Sequence, residues 1–383
     1  MRTYYDFFAG GGMAQAGLGA GWRCLFANDI DARKAECYTR NWGGDHLWVT
    51  DVSDLSTASL PGHADMSWAS FPCQDLSLAG SGRGLRGERS GTFWPFWGLM
   101  ERLVAEARAP RLVVLENVCG ALTSHGGRDF ATIIGALVDA GYSAGAIVMD
   151  AVHFVPQSRK RLFVVGVRGV VALPPRLYWN SPPTGDPWHP RAVTRAYRRL
   201  GGRAKRGWVW WRLPSPPKRH ARIEDVYEPD PRVVRWHPPE ETARLLSMMT
   251  PVNRDKVEAA QATGLLAVGT IYKRTRPDGN GGRAQRAEVR LDGVAGCLRT
   301  PVGGSSRQTI IAIEGPLVRT RLLSPREAAR LMGLSDDYWL PDRYNSAYHV
   351  AGDGLVAPVV RHLAAHLLEP LADLECEAAE GVA

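Results

Sequence analysis

Through the first 168 residues, short apolar runs alternate with longer stretches in which apolar residues return every three or four positions. The runs at 4–9, 24–28, 66–70, 112–116, 143–150 and 162–167 have the length of buried strands. Residues 33–41, 92–108 and 129–140 carry the spacing of amphipathic helices, and another helix opens at 13–19 after a glycine turn. This alternation predicts an α/β fold, a doubly wound and mostly parallel sheet with helices on both faces. Ligands of such sheets bind beyond the carboxyl ends of the strands. Glu116 ends one of the runs, Asp29 directly follows a second, and Cys73 comes soon after a third.

Beyond about residue 175 the pattern dissolves into Pro174-Pro175, Ser181-Pro182-Pro183 and Ser215-Pro216-Pro217, with scattered arginines. The predicted organisation is a first domain over 1–170, a smaller irregular lobe over 171–314, and a return to the first domain over 315–371. A frayed tail covers 372–383. Ser324, Pro325 and Gly333 mark the start and stop of one helix in the return segment. The apolar positions Val360, Leu363, Ala364, Leu367 and Leu371 mark another.

The net charge of +8 is not evenly spread. Residues 1–175 hold 16 basic and 16 acidic side chains, whereas 176–300 hold 24 and 12. The excess therefore sits in the irregular lobe, and a basic segment attracts polyanions by releasing their counterions. Tryptophans interleaved with that charge, at Trp208, Trp210 and Trp211 before Arg212, suit stacking on bases.

Other classes recede. No 18-residue apolar stretch is available for a membrane span, and the first residues lack the apolar core of a secretory leader. The six cysteines, Cys24, Cys37, Cys73, Cys119, Cys297 and Cys376, lie far apart without a Cys-x-x-Cys pair. That usage fits a reduced cytoplasm and supplies no zinc ligand set, so no metal is expected.

The candidate chemistry lies in two short motifs. Pro72-Cys73-Gln74 offers a soft nucleophile, and Glu116, at the end of the run 112–116, offers a carboxyl group able to hold a proton in a half-apolar pocket. A thiolate that adds to an electron-poor carbon and an acid that protonates a ring nitrogen together suit pyrimidine chemistry. The glycine turn Gly10-Gly11-Gly12 after strand 4–9 lets backbone amides approach a nucleotide-like ligand. A nicotinamide-binding fingerprint would need a small residue where Gln15 stands.

These motifs, in this order, resemble the bacterial DNA cytosine-5 methyltransferase family. The resemblance runs through Asp6-Phe7-Phe8-Ala9-Gly10-Gly11-Gly12, Asn28-Asp29, Asp51, Phe71-Pro72-Cys73-Gln74, Glu116-Asn117-Val118 and Gln157-Ser158-Arg159-Lys160-Arg161. It resumes in 326–333 and in Gly352-Asp353-Gly354-Leu355-Val356. It implies that Cys73 attacks C6 of cytosine, that Glu116 protonates N3, and that Arg159 and Arg161 project beside the reacting base. Phe8, Gly10, Gly12, Asp29, Asp51 and Pro72 would bind S-adenosylmethionine. Asn117, Gln157, Arg89 and Thr300 would contact double-stranded DNA, and the glycine-rich stretch 77–91 would close over the duplex as the target base turns outward.

The resemblance further implies a monomeric cytoplasmic protein of a bacterium or its phage, working beside a cognate restriction endonuclease. Two departures stand out: Asp353 replaces a frequent asparagine, and Asp29 a frequent glutamate. A tRNA cytosine methyltransferase and a catalytically silent DNA-binding module are the alternatives. The long basic lobe favours DNA over tRNA, and intact Cys73, Glu116 and Arg159 argue against the silent module.

Overall fold

The computed structural model describes residues 1–72, 90–170, 172–277, 282–299 and 307–374. Cys73, Arg89, Thr300, most of the glycine-rich stretch and the expected tail beyond 374 lie outside the described residues. The described chain forms two compact units. One comprises residues within Met1–Asp150, Lys160–Pro216 and from Val359 onward; the other comprises Ala151–Arg159 and residues within Pro217–Pro358.

The first unit is built on a seven-stranded sheet. Its strands are β1 (Arg2–Phe7), β2 (Trp22–Asp29), β3 (Leu47–Val49), β4 (Met66–Ala69), β5 (Leu112–Val118), β6 (Ser143–Asp150) and β7 (Lys160–Val167), in the order β3-β2-β1-β4-β5-β7-β6. The first five strands in that order pair in parallel, and β7 runs antiparallel to both β5 and β6. The connecting helices are α1 (Met13–Leu18), α2 (Ala32–Trp42), α3 (Phe93–Ala105) and α4 (Arg128–Asp139).

Continuous apolar strands follow from burial on both faces. In β5, Leu112 to Leu115 are at most 2% exposed. Phe7 meets Phe96 of α3 edge-on at 5.0 Å, and Phe93 stacks with Trp97 within that helix. Each such side chain contributes roughly 1.5–3 kcal/mol on burial. The chain beyond Val359 belongs to this unit: Arg361 donates to the Leu18 carbonyl, Arg111 to that of Ala372 (2.6 Å), and Arg2 to Asp373 (2.8 Å).

Residues 172–216 also lie with the first unit, rather than beginning the irregular lobe near 171. The physical reason is the tryptophan cluster. Val209 N–H donates to the Ala144 carbonyl at 2.9 Å, and the Trp211 indole donates to that of Val165 at 3.0 Å. Trp210 and Trp211 are buried at 5% and 0% exposure, so neither presents a free ring face to a base.

The second unit holds a four-stranded antiparallel sheet, here numbered β8 (Ala267–Pro277), β9 (Arg283–Arg290), β10 (Thr309–Glu314) and β11 (Leu317–Leu322), in the order β9-β8-β10-β11. Helices α5 (Pro239–Ser247) and α6 (Pro251–Ala262) precede it, and α7 (Pro325–Leu331) follows. Ile271, Ala287, Val289, Ile311 and Ile313 form its core with Met249 and Val257. Because β10 pairs with β8 and β11 with β10, the chain stays with this unit through Pro358, and the return comes later than the expected one near 315. At the start of α7, Ser324 accepts from Glu327 N–H while Glu327 accepts from Ser324 N–H, closing a capping box. Glu327 also holds the fully buried Arg321 at 2.7 Å.

Candidate active site

The carboxyl ends of β1, β2 and β3 meet at the glycine turn. Phe8 has φ of 58°, Gly10 58° and Gly12 79°. Three left-handed residues within five turn the chain sharply between β1 and α1, and the one at Phe8 is strained because its Cβ crowds the backbone. A Cβ on Gly12 would lie 2.3 Å from the Trp42 indole nitrogen, whereas one on Gly10 would meet nothing within 4 Å. Gly12 is thus required by the fold, and Gly10 faces open space.

Asp29, at the end of β2, braces this turn. Its Oδ2 accepts from Gly10 N–H at 2.9 Å and its Oδ1 from Asp31 N–H at 2.8 Å. Burial pushes its carboxyl above the usual carboxylate range, against the pull of Lys34 and these amides. Asn28 donates to the carbonyls of Trp48 (3.3 Å) and Thr50 (2.8 Å), which fixes the segment leading to Asp51 beside β2. Asp51 caps a short turn by accepting from Ser53 N–H and Oγ, both at 2.8 Å. Trp48 and Val49 face Asn28 and Asp29 in register, and with Ile30 they are exposed large apolar side chains.

The second cluster lies at the ends of β4 and β5. Glu116 stands in register with Phe163, and Val118 with Arg161, so Glu116 and Arg161 share a face as diagonal neighbours. Arg161 Nε lies 3.1 Å from Glu116 Oε1 in a largely buried pair. Asn117 points to the other face, where its Nδ2 donates to the Phe71 carbonyl at 3.1 Å and its Oδ1 accepts from Val118 N–H at 2.9 Å. Its amide therefore anchors Phe71-Pro72, the two residues immediately before Cys73.

Arg159 and Gln157 are engaged within the second unit. Arg159, 2% exposed, donates to the carbonyls of Leu298 (3.0 Å), Gly352 (3.1 Å) and Gly354 (2.8 Å). Gln157 donates to the Leu331 carbonyl at 2.8 Å and accepts from Leu298 N–H at 3.1 Å. The two arginines expected beside the reacting base thus have separate duties: Arg161 bonds a carboxylate, and Arg159 gathers backbone carbonyls.

Residues 2–369 match the sequence profile of the C-5 cytosine-specific DNA methylase family. The chain belongs to this family. The methylase is 26% identical to the type II methyltransferase M.NlaX of Neisseria lactamica, over 95% of each chain. It is 24% identical to M.HhaI of Haemophilus parahaemolyticus, over 94% of this chain and 92% of that one. The S. pombe Dnmt2 methyltransferase shares the fold, with a TM-score of 0.60 at 15% identity across 97% of this chain and 99% of that one. The enzyme is a DNA cytosine-5-methyltransferase.

Two features of this candidate site escaped sequence reasoning. Ile30, which directly follows Asp29, is 67% exposed despite being a large aliphatic residue. An apolar residue immediately after a strand-end acid was the available signal. The anchoring of Phe71 by Asn117 had none, since it depends on the adjacency of β4 and β5.

Proposed function

We propose that the methylase methylates C5 of a cytosine turned out of a specific duplex sequence, through a transient bond between Cys73 and C6. The observation that carries this reading is Glu116, paired with Arg161 of β7, on the strand neighbouring the one that leads, through the anchored Phe71-Pro72, to Cys73. It supports a shared site because Glu116, Arg161 and Pro72, the residue before Cys73, belong to adjacent strands of one sheet and the turn that follows them.

S-adenosylmethionine, when bound, supplies an electrophilic methyl group. The residues of the glycine turn fit such a donor: the open space at Gly10 admits a ligand against the backbone, and Asp29 can accept from ribose hydroxyls. Exposed Ile30 offers an apolar surface for adenine, with Phe8 and Asp51 at the neighbouring strand ends.

The Cys73 thiolate forms the S–C6 bond, and the displaced ring electrons make C5 nucleophilic. Glu116 donates its proton to N3 and so drains charge that the addition pushes into the ring. Arg161 holds the Glu116 carboxyl group in place. Once C5 carries the methyl group, loss of the C5 proton to a base restores the C5–C6 double bond. The C6–S bond breaks, the thiolate returns, and the N3 proton goes back to Glu116. The target atom cannot be reached inside the stack, so the base must first turn outward. Type II names among the bacterial relatives support a modification role beside an endonuclease.

Cys73→Ala and Cys73→Ser are expected to abolish methyl transfer to duplex DNA, and a duplex carrying 5-fluorocytosine is expected to trap a covalent adduct with the intact protein. Full activity in either variant refutes the covalent route.

A further inference from the structure

In the second unit, β8 pairs with β10 only from Ala267 to Ile271, but its pairing with β9 continues from Thr270 to Pro277. Among the described residues, β9 is bridged on its other side to Met249 at Ala287, so the stretch Arg274–Pro277 with Arg283–Arg286 is a two-stranded ribbon extending past the rest of its sheet. Four positions of strand span about 13 Å. Isolated two-stranded ribbons are marginally stable in water, so such an extension needs a reason.

Its faces differ. Ile271, Ala287 and Val289 are buried in the core with Met249 and Val257. The opposite face carries Tyr272, Arg274 and Arg276 on β8, paired in register with Glu288, Arg286 and Ala284 on β9. Arg274 and Arg286 stand directly opposite each other, a like-charge arrangement that disfavours the free ribbon. One carboxylate organises the group. Glu288 accepts from Arg276 at 2.6 and 2.9 Å, lies 3.5 Å from Arg274 Nε, and is itself largely covered. The Arg274 guanidinium also lies 4.5 Å from the centre of the Tyr272 ring. Both arginine side chains remain nearly half exposed, at 46% and 47%.

A two-stranded ribbon fits the major groove of B-DNA, and an oriented arginine fork matches the paired acceptors O6 and N7 of guanine. We propose that this ribbon enters the major groove and that Arg274 and Arg276 each read a guanine of the recognition sequence, with Glu288 as the positioning residue for both. The proposal rests on the chain's methylation of duplex DNA.

The test compares the full-length wild type with Arg274→Lys, Arg276→Lys and Glu288→Gln. Each is used to methylate a randomised duplex library with base-resolution readout, and binding to one non-target duplex is titrated against salt. Lysine retains charge and fold but not the fork. Each lysine variant is expected to lose about tenfold discrimination at one G·C position, with non-target binding and its salt dependence unchanged. Glu288→Gln is expected to loosen both positions together. An unchanged sequence preference, or a uniform loss of methylation at every sequence, overturns the proposal. No methylation of any duplex by the wild type removes the DNA reading itself, and the proposal falls with it.

Discussion

Arg161 and Glu116 meet diagonally across the β5–β7 ladder, Nε to Oε1 at 3.1 Å, because β7 inserts antiparallel between β5 and β6. The pair holds the carboxyl group proposed to protonate the cytosine ring. Glu116→Gln keeps the shape and removes the exchangeable proton, so kcat is expected to fall about 10²- to 10⁴-fold while the thermal midpoint stays close to that of the wild type. Single-turnover methylation of a duplex substrate measures the first, and calorimetry the second.

Gly10 borders open space, whereas Gly12 is closed in by the Trp42 indole. Gly12→Ala combines an unfavourable positive φ with overlap on the Trp42 indole, and is expected to cost about 2–4 kcal/mol of stability in urea unfolding. Gly10→Ala has the unfavourable φ but open surroundings, so its stability cost is expected near 1 kcal/mol. Its larger effect is expected in S-adenosylmethionine affinity, measured by calorimetric titration.

Asp6 is 1% exposed, and its Oδ2 has no hydrogen-bond partner among the described residues. Burial, with the nearby charge of Asp29 adding to it, holds its carboxyl well above the usual carboxylate range. The folded chain therefore retains a proton that the unfolded chain releases above about pH 4, and this contribution to stability falls as pH rises toward the folded value. Asp6→Asn removes the titration. Relative to the wild type, its urea midpoint is expected to rise progressively from pH 4 to pH 8; a constant difference contradicts the assignment.

His362 has the opposite sign. Burial, together with neighbouring His366, pushes its imidazole down to about 4, where it packs against Trp188. Below about pH 6.5 the unfolded chain takes up a proton that the folded chain refuses, so stability present above that pH is lost as pH falls toward 4. In thermal melts between pH 7 and pH 4.5, His362→Gln is expected to lose less of its midpoint than the wild type does.

Arg321 and Glu327 are both fully buried, and Glu327 also accepts from Glu228 N–H at 2.8 Å. Glu327→Ala strands a buried guanidinium, and is expected to destabilise the protein by about 3–5 kcal/mol in urea unfolding.

Much of this was legible from one-dimensional pattern. Strand 143–150 appears with its expected bounds, and the glycine turn, Asp29 and Glu116 fall toward the carboxyl ends of their strands. β5, however, extends two residues past its apolar run, because Asn117 and Val118 remain paired with β7. Local hydrophobicity does not register that continuation. Arg159 and Arg161 show the same limit. Spacing by two suggests one face only while both belong to a single strand, and β7 begins between them at Lys160.

The sequence by itself determined the strand–helix alternation, the glycine turn and the order of the chemical motifs, since these depend on side-chain period and on conformational freedom within a few residues. Only the tertiary structure decided which carboxylate meets which guanidinium, that the tryptophans at 210 and 211 are core, and that β8 outruns its sheet. Those outcomes arise from pairing register between segments distant in the chain, and register is settled by mutual packing that neither segment encodes alone.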